Sequence, residues 1–555
     1  MTVTPFDRQH MLRRLADEEF DIVVVGGGIT GVGVALDAAS RGLRTALVER
    51  DDFASGTSSK SSKLVHGGLR YLQQGDVRLV YEALRERKRL RRNAPHLVTV
   101  LPFMLPILTK DGVVSRKIAR VLGSSMWMYD LTGGWRIGKL HRRLSTTKAL
   151  SHLPTMHHDR LASAYLYYDA TADDARLCLT VARTAAAHGA VVANACTVVR
   201  IDTDDSGIAN GVVVHADGHD IRVRARVVIN AAGVWADDIR ALAEPIHPDS
   251  IRPAKGVHIT VPWSKVRNDI AVIIPVPKDK RSLFLVPWGA QADGTFQYTY
   301  VGTTDTDYDG DIDDPQCTEA DITYVLKAVN ASLTTDITAD DVSGVWAGLR
   351  PLVKRATSGR TADLSRRHSI STNDAGVISV TGGKLTTYRE MAEDTVEVAL
   401  AQLQLRRRCR TRTLKLSGAA GFRGGTIGSR HDHLASRYGS EMSAIESLIA
   451  HDPSLGEALV EGLPYLRAEA VYAVRNEMAL TLDDVLSRRT RARLFARDSA
   501  VRAAPAVGAL IATELAWDHA ETQSQIAAFV ASCAREAAAA VSSPEVSSPE
   551  VSSPT

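Results

Sequence analysis

Three glycines at close spacing come first among the residues that could do chemistry. Gly26-x-Gly28-x-x-Gly31 directly follows the apolar run Ile22 to Val25 and precedes a stretch of helical spacing. A tight turn, a close backbone approach to a pyrophosphate and close helix packing each exclude a side chain. The helix tip then offers unpaired amides to the anion. A second apolar run, Thr45 to Val48, ends at Glu49, whose carboxylate can accept hydrogen bonds from both ribose hydroxyls at the spacing such a unit needs. The strand–turn–helix–strand unit therefore predicts a dinucleotide held by Gly26, Gly28, Ile29, Thr30, Gly31 and Glu49.

NAD, NADP and FAD all use this unit. The acidic Glu49 disfavours a 2′-phosphate, although Arg50 beside it keeps that exclusion incomplete. Two features favour FAD over NAD. Strand-then-glycine-turn patterns return at VVINAAGVWAD, with Ala232 and Gly233, and at ISVTGGKLTTYR, with Gly383, Lys384, Leu385 and Thr386. A polar loop from Ser55 to Lys63 also follows the second strand, where it can lie along an extended ligand. It continues into SSKLVHGGLRYL (61–72), which is too polar and too glycine-rich for a core helix or a buried strand, and so reads as a ligand loop.

The elements that must position these residues fill 555 residues, long enough for two or three domains. A hydrophobic content of 45% with 24% charged residues describes a globular protein, and a formal charge of +3 argues against a nucleic-acid partner. The basic run Arg85 to Arg92 is expected to be a solvated helix face. Five scattered cysteines without a CxxC pair predict free thiols in a reducing compartment, and no metal cluster is expected. No apolar run approaches a membrane span and no signal core opens the chain, so a cytoplasmic location is expected. VSSPEVSSPEVSSPT should be a disordered tail.

Taken in order, GGGITGVGVALDAASRGL, SSKSSKLVHGGLRYL, NAAGVWAD, GTTDTDYDG, GLRPL and GGKLTTYRE closely resemble the FAD-dependent glycerol-3-phosphate dehydrogenases, of the glycine oxidase and D-amino-acid oxidase type. AEAVYAVRNEMALTLDDVLSRRTRARLF (468–495) resembles their C-terminal helical domain. The resemblance implies an α/β fold with a Rossmann-like FAD-binding domain assembled from 20–105, 161–250 and 346–405. A substrate and membrane-contact region at 106–160, a β-rich substrate domain at 251–345, a helical domain at 406–540 and a tail at 541–555 complete it. It also implies oxidation of sn-glycerol 3-phosphate, with electrons passing to a quinone at a membrane surface, on the inner face of the plasma membrane, and a homodimer. An oxidase that reduces oxygen and a non-catalytic FAD-binding scaffold are the alternatives.

Flavin oxidation of a secondary alcohol requires an anchored phosphate and a proton acceptor. Arginine is the natural phosphate clamp. Arg350 of GLRPL matches the family pattern; Arg366 of SRRHS departs from it, and Arg367 could take that role. His258 aligns with a substrate-site histidine of the family, with His66 as its rival. Lys384 is implied to lie over the flavin near the substrate. Ser58, Ser61, Ser62 and Lys63 are implied cofactor donors, with His66, Gly67 and Gly68 passing close to the ring, and Arg70 and Tyr71 projecting into the substrate cavity. Met126, Trp127, Met128 and Trp135, flanked by basic residues, are either a membrane-contact segment or ordinary core.

Overall fold

The structure is a computed structural model that describes residues 6–68, 77–109, 127, 137–244, 246, 249–279, 281–354 and 368–541. Arg70, Tyr71, Arg366, Arg367, Met126, Met128, Trp135 and the tail beyond Val541 lie outside the described residues. Of the proposed membrane segment, Trp127 is exposed and meets His141 edge-on at 5.1 Å.

A first sheet is built on Glu19–Val25, whose Ile-Val-Val-Val run is buried on both faces, as a central parallel strand must be. It pairs in parallel with Thr45–Val48 on one side and with His219–Asn230 on the other, aligning Val25 with Val48 and with Asn230. His219–Asn230 pairs in parallel with Ile378–Gly382 in turn. Four strands therefore end at one sheet edge. Gly26, Glu49, the Ala231–Gly233 turn and the Gly382–Lys384 turn come together there, in the crevice outside the carboxyl ends where such sheets bind ligands. Helix Ile29–Ser40 packs between Asp174–Ala187 and Tyr388–Gln402 over this sheet.

A second sheet runs antiparallel around Ile251–Pro262. Its register sets His258 between Gly302 and Trp346, and Ala254 opposite Arg350. Four strands lying wholly or mostly in the ranges expected for the FAD-binding unit belong to this sheet instead, Leu64–Val65 and Thr99–Leu108 among them. Leu161–Thr171 pairs along its length with Thr99–Leu108, and Gly344–Val353 pairs with Ile251–Pro262. Pairing with a strand distant in sequence, not local composition, decides their membership.

Helix Val77–Asn93 also corrects the solvated-face expectation in part. Arg87 is buried against Asp169, and Glu86 is buried beneath Arg389 at 2.6 Å. Beyond Arg430 the chain is helical to Val541. All five cysteines are free, and four are buried.

Candidate functional site

The glycine turn is built by backbone contacts that admit no side chain. Gly26 has φ of +111°, and a Cβ there would lie 2.7 Å from the Ala231 carbonyl oxygen. A Cβ on Gly31 would stand 1.9 Å from the Gly26 carbonyl oxygen. Gly28 caps the helix, and the Ile29 amide donates to Ser58 Oγ at 2.9 Å, which ties the polar loop to the first helical turn.

Glu49 accepts from the Gly27 amide at 2.5 Å through Oε2 and from the Asp51 amide at 2.9 Å through Oε1. Burial pushes its carboxyl up to about 7, against the lowering effect of those two amides. Only the ionised form can accept from both hydroxyls of a ribose, so dinucleotide affinity should fall as pH drops through 7. Flavin titration of the cofactor-free protein, followed by fluorescence quenching, should give about tenfold weaker binding at pH 6 than at pH 8. Glu49→Gln should flatten that dependence, and a flat profile in the unaltered protein would refute this role.

Arg50 turns toward the protein: it bonds Asp51 at 3.0 Å and Asp313 at 2.8 Å, and lies 4.8 Å from the Trp235 ring centre. Its guanidinium is thus already held by carboxylates, which accords with a ligand lacking a 2′-phosphate.

The loop beyond Ser58 divides its side chains between cavity and core. Lys63, expected to donate to the cofactor, is corrected: it is wholly buried, bonds Asp174 at 3.2 Å and lies 4.5 Å from the Trp346 ring centre. Burial, reinforced by nearby Arg491, pushes its ammonium down to about 8. Ser61 reaches the cavity wall, but its hydroxyl donates to Asp174 at 2.7 Å. Ser62 points the other way and meets His258 Nε2 at 2.9 Å. His66 lines the cavity, its amide bonded to Thr386 Oγ1 at 3.1 Å; Gly67 and Gly68 lie behind it, with the Gly67 amide on Asp169 at 3.3 Å.

The far wall comes from the second sheet. His258 is buried and stacks on Trp346 at 4.8 Å; a Cβ on Gly302 would intrude on its ring. Burial first, then the Lys63 and Arg350 cations, hold its imidazole neutral, well below the ordinary range. Its Nδ1 is buried without a hydrogen-bond partner among the described residues. Arg350 extends a fork fixed by Asp305 at 3.2 Å, Thr303 Oγ1 at 3.1 Å and the Thr304 carbonyl at 3.1 Å. Gly256 makes room for that fork, since a Cβ there would lie 2.5 Å from Nη2. Lys384 follows two left-handed glycines, Gly382 and Gly383, at φ of +75° and +78°.

These groups line one cavity of about 550 Å³, running from Gly26, Thr30 and Glu49 past Ala232 and Gly233 to His258, Arg350, Gly383, Lys384, Leu385 and Thr386. The donor set fits FAD. A side-chain-free cradle at a helix tip suits the pyrophosphate, a carboxylate suits the ribose, and cationic and imidazole groups stand at the opposite end. Gly31 acts from within the helix rather than on the cavity surface.

A family model described as FAD dependent oxidoreductase matches residues 21–389, and one described as the C-terminal domain of alpha-glycerophosphate oxidase matches 409–522. Glycerol-3-phosphate dehydrogenase 2 of Mycobacterium tuberculosis is 41% identical over 542 residues, 95% of this chain and 90% of its own. The chain belongs to the FAD-dependent glycerol-3-phosphate dehydrogenase family. Human mitochondrial glycerol-3-phosphate dehydrogenase is 36% identical, with 94% of this chain and 74% of its own covered. Among solved structures, the glycerol-3-phosphate dehydrogenase of Bacillus halodurans, complexed with FAD, matches with a TM-score of 0.75 and 30% identity over 97% of this chain and 99% of its own.

In this family member Ser62 and His258 are each visible in the sequence as candidate site residues, but their hydrogen bond is not. Thr303 and Asp305 lie in GTTDTDYDG, just past the end of strand Phe296–Gly302, and that position is the signal for them in the sequence. Asp174 and Arg491 carry no local signal of their own, because they are 317 positions apart and only the fold pairs them.

Proposed function

We propose that this chain oxidises sn-glycerol 3-phosphate to dihydroxyacetone phosphate and passes the electrons to a quinone. The observation that carries this reading is the convergence, on one cavity, of the glycine cradle with the Arg350 fork and the Ser62–His258 pair. The names and cofactor of the relatives support it. FAD, when bound, supplies the acceptor for the C2 hydride.

The chain's own residues do the rest. Arg350, already fixed by three oxygens, binds the phosphate dianion, and its planar fork sets the orientation of the substrate carbon chain. His258, neutral and bonded at Nε2 to Ser62, takes the C2 hydroxyl proton through that hydroxyl: Ser62 accepts the substrate proton as it passes its own to Nε2. A dianion beside Arg350 offsets one of the cations that disfavour imidazolium, so substrate binding itself raises the basicity of His258. The Lys384 ammonium stabilises alkoxide character as the proton leaves. Arg70, Tyr71 and Arg366 are kept as substrate-contact proposals on the family resemblance.

Delivery to a quinone requires a membrane surface. Among the described residues no helix is long and apolar enough to cross a membrane. Contact is therefore proposed to be peripheral, on the inner face of the plasma membrane; a homodimer is proposed on the family resemblance alone.

Anaerobic titration of the purified protein with sn-glycerol 3-phosphate should bleach the flavin absorbance at once, whereas glycerol at equal concentration should bleach it far more slowly. A flavin that stays yellow with the phosphate ester would sink the reading. Stoichiometric peroxide in air, without added quinone, would move the acceptor to oxygen.

A further inference from the structure

One arginine of the C-terminal helical region reaches beneath the cofactor loop. Arg491 is wholly buried. Its guanidinium donates to the Ser59 carbonyl at 2.8 Å and the Ser487 carbonyl at 3.0 Å, pairs with Asp174, and stands 3.4 Å from Asp173. Asp174 is also buried and organises the loop from below: it accepts from the Ser61 amide at 2.9 Å, the Ser61 hydroxyl at 2.7 Å and the Lys63 ammonium at 3.2 Å. The upper side is held by Trp346 Nε1 on the Ser61 carbonyl at 3.2 Å and by the Tyr300 hydroxyl on the Ser62 carbonyl at 3.0 Å. These two sets of bonds hold the loop from below and from above, with the Ser62 hydroxyl meeting His258.

We propose that Arg491 is a positioning residue: acting through Asp174 and the Ser59 carbonyl, it holds the Ser58–Lys63 loop so that Ser58 meets the nucleotide-binding helix and Ser62 meets His258. The C-terminal region thereby becomes part of the flavin and substrate site without touching either ligand. A buried charge must be paired and its remaining polar atoms satisfied, or the structure around it rearranges. Loss of Arg491 leaves Asp174 facing Lys63 alone and strips the Ser59 carbonyl of one donor, so the rearrangement falls on this loop. The plain alternative is that Arg491 only stabilises the fold. Arg183 provides the comparison. It pairs with Glu441 at 2.6 Å across the same junction between helix Asp174–Ala187 and the C-terminal region, and does not contact the loop.

The test uses the full chain with Arg491→Met, Arg491→Lys, Arg183→Met and Ser62→Ala, singly and with Ser62→Ala added to each arginine variant. Flavin affinity of the cofactor-free proteins is read by fluorescence quenching, stability by thermal unfolding, and turnover in the reconstituted enzymes. Arg491→Met should weaken FAD about 30-fold, the effect of losing bonds to a buried charge, and Arg491→Lys about fivefold, since an ammonium can keep Asp174 but not Ser59 as well. Arg183→Met should lower Tm yet leave flavin affinity within about twofold. Ser62→Ala should reduce kcat in the parent and in Arg183→Met, but by less than about twofold in the Arg491 variants, where Ser62 is already displaced. Equal flavin loss in Arg183→Met and Arg491→Met, or a Ser62→Ala effect that is the same in every background, would overturn the proposal. Should Arg491→Met fail to fold, the Arg491→Lys cycle decides between the same two outcomes.

Discussion

Gly31→Ala should yield a protein that purifies nearly colourless. The added methyl would stand 1.9 Å from the Gly26 carbonyl oxygen and 3.0 Å from its carbonyl carbon, with the Ala231 side chain 3.4 Å away. None of these atoms can retreat. Gly26 donates its amide to Val48 at 2.9 Å and Ala231 donates to Val25 at 2.8 Å, so both belong to the frame of the central sheet. The helix must move instead, carrying Ile29 and its bond to Ser58 off the pyrophosphate position. Overpacking of this kind costs about 1–3 kcal/mol, and here the displacement falls on the cofactor contact itself, so flavin affinity should drop by about 100-fold. The ratio of absorbance at flavin and protein wavelengths, followed by FAD titration of the apoprotein, measures it. Full flavin content in Gly31→Ala would mean that the cradle is not where the cofactor binds.

The cradle was legible in the sequence because each of its pieces is a local pattern. A buried parallel strand shows as a continuous apolar run, and the glycine or carboxylate that follows stands at the strand's carboxyl end. The runs before Gly26, Glu49, Ala232 and Gly383 each declared themselves in this way, and parallel pairing then places all four ends at one edge. The substrate end was legible only as a set of residue types. Ser62 and His258 are 196 positions apart, and their hydrogen bond depends on the register of Ile251–Pro262 against its neighbours, which no local pattern states. The same holds for Lys63. Its position in a polar loop suggested a ligand contact, but it is turned inward by Asp174, 111 positions away. Charge patterns have this weakness in general: a run such as Arg85 to Arg92 gives no sign that Arg87 has a buried carboxylate partner 82 positions on. Gly256 and Gly302 were likewise silent, since each is needed only because Arg350 and His258 cross the strand beside it.

Arg350→Met should lower kcat/KM for sn-glycerol 3-phosphate by about 1,000-fold, because truncating one partner of a desolvated charge pair costs about 2–5 kcal/mol. The loss should fall mainly on KM. An anchor on the phosphate holds ground state and transition state alike, and removing such an interaction weakens binding more than turnover. Arg350→Lys should recover only part of it, since the fork is set by Asp305, Thr303 and Thr304 together and an ammonium cannot span all three. A purely structural role for the Arg350–Asp305 pair predicts a different pattern. Unpairing Asp305, which is largely buried, would destabilise the wall that also carries His258, and every substrate would suffer alike. Comparison with glycerol separates the two. If Arg350 anchors phosphate, the slow oxidation of glycerol should be nearly unchanged in Arg350→Met while the preference for the phosphate ester collapses; parallel losses with both substrates would assign the arginine to the fold and leave the phosphate anchor to be sought elsewhere. The reason to expect the first result lies in Gly256. A strand position left without a side chain, directly where Nη2 passes, keeps the guanidinium extended along the cavity wall, whereas an arginine that served only Asp305 could lie flat on the sheet without requiring it.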